Sequence, residues 1–160
     1  MSTSEIGQST ETQTKPALEA AGLRLWIHGR QFPSAHDPDE GNRLRATIRC
    51  EVDDVSVRAE DASIRASDID RWVREIRSLL KGKSGLARLS VKKRVFEVVL
   101  QQTEDLERIR MRVAVVPGEG MKAKAFEFDL FRNEVEDIVW QCSRILSEYP
   151  VRGATLPEEA

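Results

Sequence analysis

The sequence predicts an α+β fold of two layers: a mostly antiparallel meander sheet of about seven strands with two amphipathic helices on one face. Three observations predict it. Ile109, Met111, Val113 and Val115 alternate with Arg108, Arg110 and Arg112, and Phe126, Phe128 and Leu130 alternate with Glu127 and Asp129, the period-2 pattern of strands with one apolar face. Two other stretches repeat their apolar residues at three- and four-residue spacing, as helices with one buried stripe do. The strand patterns come in pairs separated by short polar turns, interrupted once by a helix and closed by another.

Residues 1–21 are rich in Ser, Thr, Gln and Glu and poor in large apolar groups, so a disordered N-terminal tail is expected. A single domain is expected over residues 22–153, with a flexible tail at 154–160. The first strand, from Leu23 to His28, puts Leu23, Leu25 and Ile27 on one face and Arg24, Trp26 and His28 on the other. The segment from Gln31 to Gly41 holds two prolines and a cluster of turn formers, and reads as a loop. The next strand turns Leu44, Ala46, Ile48, Cys50 and Val52 inward. Asp53-Asp54 makes a two-residue turn, and the return strand turns Val55, Val57 and Ala59 inward. Pairing Val52 with Val55 sets Cys50 opposite Val57 and Ile48 opposite Ala59, so inward residues meet. It also sets Arg49 opposite Arg58, an unfavourable like-charge pair.

Ser67 is the expected cap of the first helix, whose stripe is Ile69, Trp72, Val73, Ile76, Leu79 and Leu80. Gly82 or Gly85 can end it. Leu86–Val91 and Val95–Leu100 form a hairpin about Lys92-Lys93. In the last hairpin, a four-residue turn at Pro117–Gly120 pairs Val116 with Met121. That count sets Met111 opposite Phe126, Ile109 opposite Phe128, Arg110 opposite Glu127 and Arg108 opposite Asp129. The arginine ladder then reads as a solvated face neutralised by its neighbour. The closing helix, from Asn133, carries Val135, Ile138, Val139, Cys142, Ile145, Leu146 and Tyr149 on one stripe. No internal repeat is visible.

Composition narrows the function classes. The chain has 160 residues, 40% hydrophobic and 32% charged, with a formal net charge of −2. That balance gives no global pull toward nucleic acid or basic partners. No apolar run approaches the roughly 20 residues of a membrane span, and no basic n-region followed by an apolar core opens the chain. Cys50 and Cys142 fall on inward faces and read as small buried hydrophobes in a reduced, cytoplasmic protein, with a disulfide between them the less favoured alternative.

A search for chemistry finds no catalytic set. Gly118-Glu-Gly120 lacks the helix and third glycine of a phosphate loop. His36-Asp-Pro-Asp-Glu40 offers oxygens to a cation without the periodic ligands of a calcium loop. The expectation is a non-enzymatic protein with no cofactor and no metal site. A basic run holds Arg71, Arg74, Arg77, Lys81, Lys83, Arg88, Lys92, Lys93 and Arg94. It could contact phosphates, but few aromatics interleave it as a single-strand binder requires.

Trp140 is the informative anomaly. On the helical wheel it lies opposite the apolar stripe, among Glu136, Asp137 and Arg144. A large aromatic ringed by charges is the pattern of an interface hot spot, so Trp140, Glu136, Asp137 and Arg144 are candidate contacts for a protein partner.

The ends of the domain carry a resemblance. Ile27-His-Gly-Arg-Gln-Phe-Pro33 followed by Asp37-Pro-Asp-Glu-Gly-Asn-Arg-Leu44 resembles the opening of the WapI family of bacterial immunity proteins, in which a Gly-Tyr-Gln-Phe-Pro-like segment precedes an acidic loop ending in Asn-Trp-Leu. The close is similar too: a one-sided strand, a long amphipathic helix and then Tyr149-Pro-Val-Arg152, like the family's Phe-Pro-x-Arg. Arg30 replaces the usual aromatic, Arg43 the tryptophan and Tyr149 the phenylalanine. The resemblance implies a cytoplasmic, non-catalytic protein that binds and occludes the toxic C-terminal domain of a cognate bacterial toxin through a standard-sized interface. It adds Asp37, Asp39 and Glu40 to the candidate contacts. A regulatory interaction domain without a toxin, and a nucleic-acid-associated protein using residues 71–94, are the alternatives. Immunity proteins against nucleases are often acidic, and this domain is not.

Overall fold

The computed structural model describes residues 15–91 and 95–153. The order of elements is β1 (Leu18–Ala20), β2 (Leu23–Arg30), a 3₁₀ turn (Glu40–Asn42), β3 (Arg43–Val52), β4 (Val55–Arg65), α1 (Ala66–Leu80), β5 (Leu86–Ser90), β6 (Phe96–Gln102), β7 (Arg108–Val115), β8 (Lys124–Phe131) and α2 (Arg132–Glu148). The class is the expected α+β. The strands, however, form two antiparallel sheets of four, ordered β1-β2-β3-β4 and β5-β6-β7-β8, rather than one meander of seven. The chain is thus built twice from one plan, four strands in sequence followed by a helix, although the residues themselves repeat nothing visible. One hydrophobic core joins both sheets and both helices.

The eighth strand is β1. It pairs antiparallel with β2, Leu18 opposite Leu25 and Ala20 opposite Leu23. This places ordered structure within residues 15–21, which the composition had assigned to the tail. Three residues are too few for a periodicity to be read, and Leu18 is buried by pairing and packing rather than by pattern. The remaining residues of both expected tails, 1–14 and 154–160, lie outside the described residues, as does the Lys92-Lys93 turn.

The β3–β4 register matches expectation, with Val52 opposite Val55, Cys50 opposite Val57 and Arg49 opposite Arg58. The like-charge pair is relieved along each strand: Arg49 bonds Glu51 at 3.0 Å and Arg58 bonds Glu60 at 3.0 Å. Val55, at the hairpin tip, is exposed rather than inward. The β7–β8 register is displaced by two residues: Met111 faces Phe128, Ile109 faces Leu130, Arg110 faces Asp129 and Arg112 faces Glu127. The connecting loop runs from 116 to 123 instead of being a tight four-residue turn. Because the displacement is even, every side chain keeps its face. Arg110 lies 3.7 Å from Asp129, and Arg108 stacks on Phe131 at 4.4 Å instead of meeting Asp129.

Helix α1 starts directly from β4. Its N-cap is Arg65, in extended conformation, so Ser67 lies inside the first turn. The buried Asp68 carboxylate accepts from Arg65 and Arg71 instead, a favourable charge near the helix N-terminus. At the other end Lys83 N–H bonds Ser78 C=O and Gly82 N–H bonds Leu79 C=O, a Schellman closure with Gly82 at φ +77. Helix α2 begins one residue earlier than expected, at Arg132, and Glu134 accepts the Phe131 N–H at 2.8 Å. The apolar stripes of both helices face the core as predicted, with Trp72 and Ile138 wholly enclosed and Leu80, Val139, Leu146 and Tyr149 half-buried at its margin.

The helices cross over between halves. Glu75 and Gln141 are each the tenth residue of their helix, and each satisfies the free edge of the other half's first strand. Glu75 accepts the Arg88 N–H of β5 at 2.9 Å. Gln141 accepts the Glu19 N–H of β1 at 2.7 Å and donates to the Glu19 C=O at 2.9 Å. An unpaired strand edge is a template for aggregation, and at these points the opposite helix takes the place of a neighbouring strand.

Candidate functional site

The residues singled out by sequence fall into two places. The first is a polar clamp. The loop between β2 and β3 folds over the segment that follows α2. Asn42 donates to Pro38 C=O and Arg152 C=O at 2.7 and 2.9 Å, and accepts the Arg152 N–H at 2.7 Å. Arg152 donates to Pro33 C=O and Ala35 C=O. Arg30 donates to Gly41 C=O at 2.6 Å and Pro150 C=O at 2.7 Å, with its guanidinium over the Tyr149 ring. Burial and the nearby Arg152 lower the Arg30 pKa, while burial raises that of Tyr149. A Cβ on Gly41 would lie 2.9 Å from Ala35 O, and one on Gly153 would lie 2.9 Å from Pro38 N, so both glycines are demanded by close approach.

Two acidic candidates of this loop are committed to it. Asp37 accepts the N–H groups of Asp39 and Glu40 at 3.1 and 2.8 Å. Asp39 bonds Arg43 at 2.9 Å and Arg65 at 3.1 Å, and the bond to Asp39 raises the Arg43 pKa. Glu40 is exposed in the 3₁₀ turn.

The second place is a groove of about 1010 Å³ beside α2. One wall is the outer flank of the helix: Asp137, Trp140, Arg144, Glu148 and, beyond its end, Tyr149. The other wall is a distorted part of the first sheet, with Trp26, His28, Thr47, Glu60 and Asp61; residues 15–17 and Glu19 close one end. Two irregularities shape this wall. The β2–β3 register shifts between Ile27 and Gly29, and the β3–β4 register shifts at Thr47, which stands against both Glu60 and Asp61. Bulges of this kind bend a strand and re-aim its side chains. The buried Thr47 hydroxyl ties them together, 2.8 Å from His28 Nε2 and 3.4 Å from the Glu60 C=O to which it donates.

Trp140 is 58% exposed, and Arg144 stacks on it at 5.1 Å. Asp137 accepts from Gln141 at 2.8 Å. Asp137, Trp140 and Arg144 therefore share one groove, while Glu136 is exposed outside its lining and Asp37, Asp39 and Glu40 sit at the clamp. Sequence reading missed the second wall. Trp26 could have been flagged as an aromatic on a polar strand face; Glu60 and Asp61 could not, because their placement depends on a bulge.

The basic region is partly neutralised in place. Arg71 bonds Asp68, Arg74 bonds Asp70 and Arg88 bonds Glu97, at 3.1 to 3.3 Å, and Lys92, Lys93 and Arg94 lie outside the described residues. Among the described residues no group of three or more His, Cys, Asp or Glu could hold a metal ion, and no helix is long and apolar enough to cross a membrane. Cys50 and Cys142 are free and buried.

Residues 16–150 match the model of the immunity protein WapI-like family. The chain belongs to that family. The match spans both halves of the fold, the β2–β3 loop of the clamp and all but Lys15 of the groove lining of this WapI-like protein. No curated protein matches the sequence. Among solved structures, it is similar to a chain of MRP1/MRP2 from Trypanosoma bruciei (TM-score 0.49, 9% identity, covering 92% of this chain and 95% of that one). It is also similar to a chain of the plant transcriptional regulator PBF-2 (TM-score 0.43, 12% identity, 82% and 79% covered). A third likeness is to a chain of a CdiA-CT/CdiI toxin and immunity complex from Enterobacter cloacae (TM-score 0.38, 17% identity, 63% and 88% covered). These likenesses are too remote to transfer a function.

Proposed function

We propose that this WapI-like protein is a cytoplasmic, non-catalytic immunity protein that neutralises the C-terminal domain of a cognate bacterial toxin by binding and occluding it. The observation that carries the reading is the family match over residues 16–150. The surface we assign to the toxin is the groove flank of α2, centred on Trp140. An exposed tryptophan with an arginine stacked on it is the kind of rigid, large-area anchor that dominates binding energies. The clamp residues Asp37 and Asp39 hold the loop in shape; Glu40 and Glu136 are left to act as peripheral contacts.

Co-expression with the toxin encoded by the neighbouring gene tests this. Growth should be rescued, and the two chains should co-purify. Trp140→Ala should weaken the complex by tenfold or more while the variant stays folded. Failure of the parent chain to rescue growth and to form a complex would sink the reading; unchanged affinity in a folded Trp140→Ala variant would remove the assigned surface.

A further inference from the structure

We propose that the groove beside α2 receives a cationic, extended segment of the partner protein, an arginine- or lysine-bearing loop laid between the helix and the bulged wall. The inference rests on the immunity reading for the partner being a toxin domain, and adds the chemistry by which the groove recognises it.

Charge is the first argument. Five carboxylates line the groove, against Lys15 and Arg144. Glu19 is bonded to Arg24 and Glu60 to Arg58. Asp61 and Glu148, both exposed, have no ion pair among the described residues, so each wall presents a carboxylate to the groove. Complementary charge across an interface steers encounter and sets specificity.

The second argument is the rings. Trp140 and Tyr149 border the groove, and aromatic faces attract cations, arginine most often. Each carries one from within the chain, Arg144 on Trp140 and Arg30 on Tyr149. The groove thus has the geometry to hold guanidinium groups.

The third argument comes from the doubled plan. A smaller groove of about 340 Å³ lies between α1 and β5, lined by Arg71, Arg74, Glu75 and Ser78. These occupy the same helix positions as Asp137, Trp140, Gln141 and Arg144. Where one half has Trp140, the other has Arg74. The first helix packs with Arg74 at that position, so the helix packing does not itself demand a tryptophan there. The chain's own residues 1–14, which join the groove at Lys15, carry Glu5 and Glu11 and no lysine or arginine, the wrong sign for this site.

The test uses the full chain and an acetylated, amidated arginine–glycine octapeptide at low salt, with a glutamate–glycine octapeptide as control, followed by the indole N–H resonance of Trp140. The expected result is saturable binding of the arginine peptide only, with the Trp140 resonance shifting. Asp61→Asn combined with Glu148→Gln should weaken it about tenfold, and Arg74→Ala should leave it unchanged. Both carboxylate changes preserve shape, and a thermal melt of the double variant confirms that it folds. No binding, equal binding of both peptides, or unchanged affinity in the double variant would overturn the proposal. So would Overhauser contacts from residues 1–14 to the Trp140 indole in the free protein, or a dimer that the peptide dissociates, since these make the chain itself the occupant. The two readings fail separately. A double variant that loses the peptide yet still protects cells from the toxin ends this inference and leaves immunity standing. A parent chain that binds the peptide and protects no cell ends the immunity reading alone.

Discussion

Asn42 and Arg152, 110 residues apart, are joined as a paired bridge: the Asn42 amide donates to the Arg152 C=O at 2.9 Å and accepts the Arg152 N–H at 2.7 Å. Asn42 is 1% exposed. Loss of its side chain would strand the main-chain groups it serves, at about 1–3 kcal/mol for each buried group left unsatisfied. Asn42→Ala should therefore destabilise the fold by about 3 kcal/mol. A lower urea midpoint at unchanged slope is the expected observation.

Trp140→Ala should behave in the opposite way. The ring is mostly in water and belongs to neither buried stripe. Its removal should change stability by no more than about 0.5 kcal/mol, as at other surface sites. A calorimetric melt checks this, and it gives the binding experiments their folding control.

Gln141→Ala should loosen one strand edge and little else. Its amide is the bonding partner of both the N–H and the C=O of Glu19. The expected net loss is about 1 kcal/mol. Amide hydrogen exchange should accelerate at Glu19 while Arg88, served by Glu75, keeps its rate. Uniform acceleration would show that the edge does not open on its own.

Gly22→Ala should be poorly tolerated. A Cβ there would stand 2.0 Å from the Glu51 carbonyl oxygen and 3.2 Å from the Phe128 ring. Backbone or sheet must move, at a cost of about 1–3 kcal/mol or more. A drop in melting temperature, against a near-neutral Gly85→Ala, whose Cβ meets nothing within 4 Å, is the expected contrast.

The buried thiols give a pH dependence. Burial pushes Cys50 up to about 11 and Cys142 up to about 12, from an ordinary 9.0. The folded state holds these protons more tightly than the unfolded chain. Their contribution is whole below about pH 9 and is lost as pH rises through 11 and 12. Unfolding free energy should fall more steeply over that range in the parent than in the Cys50→Ala/Cys142→Ala variant. Iodoacetamide should leave both thiols intact in the native protein at neutral pH.

The elements that sequence reading found are those whose burial is periodic along the chain. Both helix stripes were legible, and so was the β3–β4 register, because the short turn at Asp53 leaves one pairing that sets Cys50 against Val57. The β7–β8 faces were legible while the register was not: alternation fixes which side Met111 faces, and only the loop from 116 to 123 decides whether Phe126 or Phe128 meets it. The division into two sheets was invisible, since nothing in β4 or β5 records which edge stays unpaired; at β5 the Arg88 N–H goes to Glu75 of the helix, a contact no periodicity carries. Half of the candidate site follows the same rule. Trp140 was found on a helical wheel, whereas Glu60 and Asp61 reach the groove through a register shift at Thr47 that no periodicity carries.

The bridge between Asn42 and Arg152 also has a place in time. A ribosome adds roughly 5–20 residues per second, so the partner of Asn42 emerges on the order of 6–20 seconds after Asn42 itself. During that interval the loop after β2 has no counterpart for its polar groups, and water must serve them. A nascent chain can assemble the first sheet before then. It acquires its final shape at this end of the molecule only once residue 152 has been made, so growing copies lack the bridged end that completed ones have.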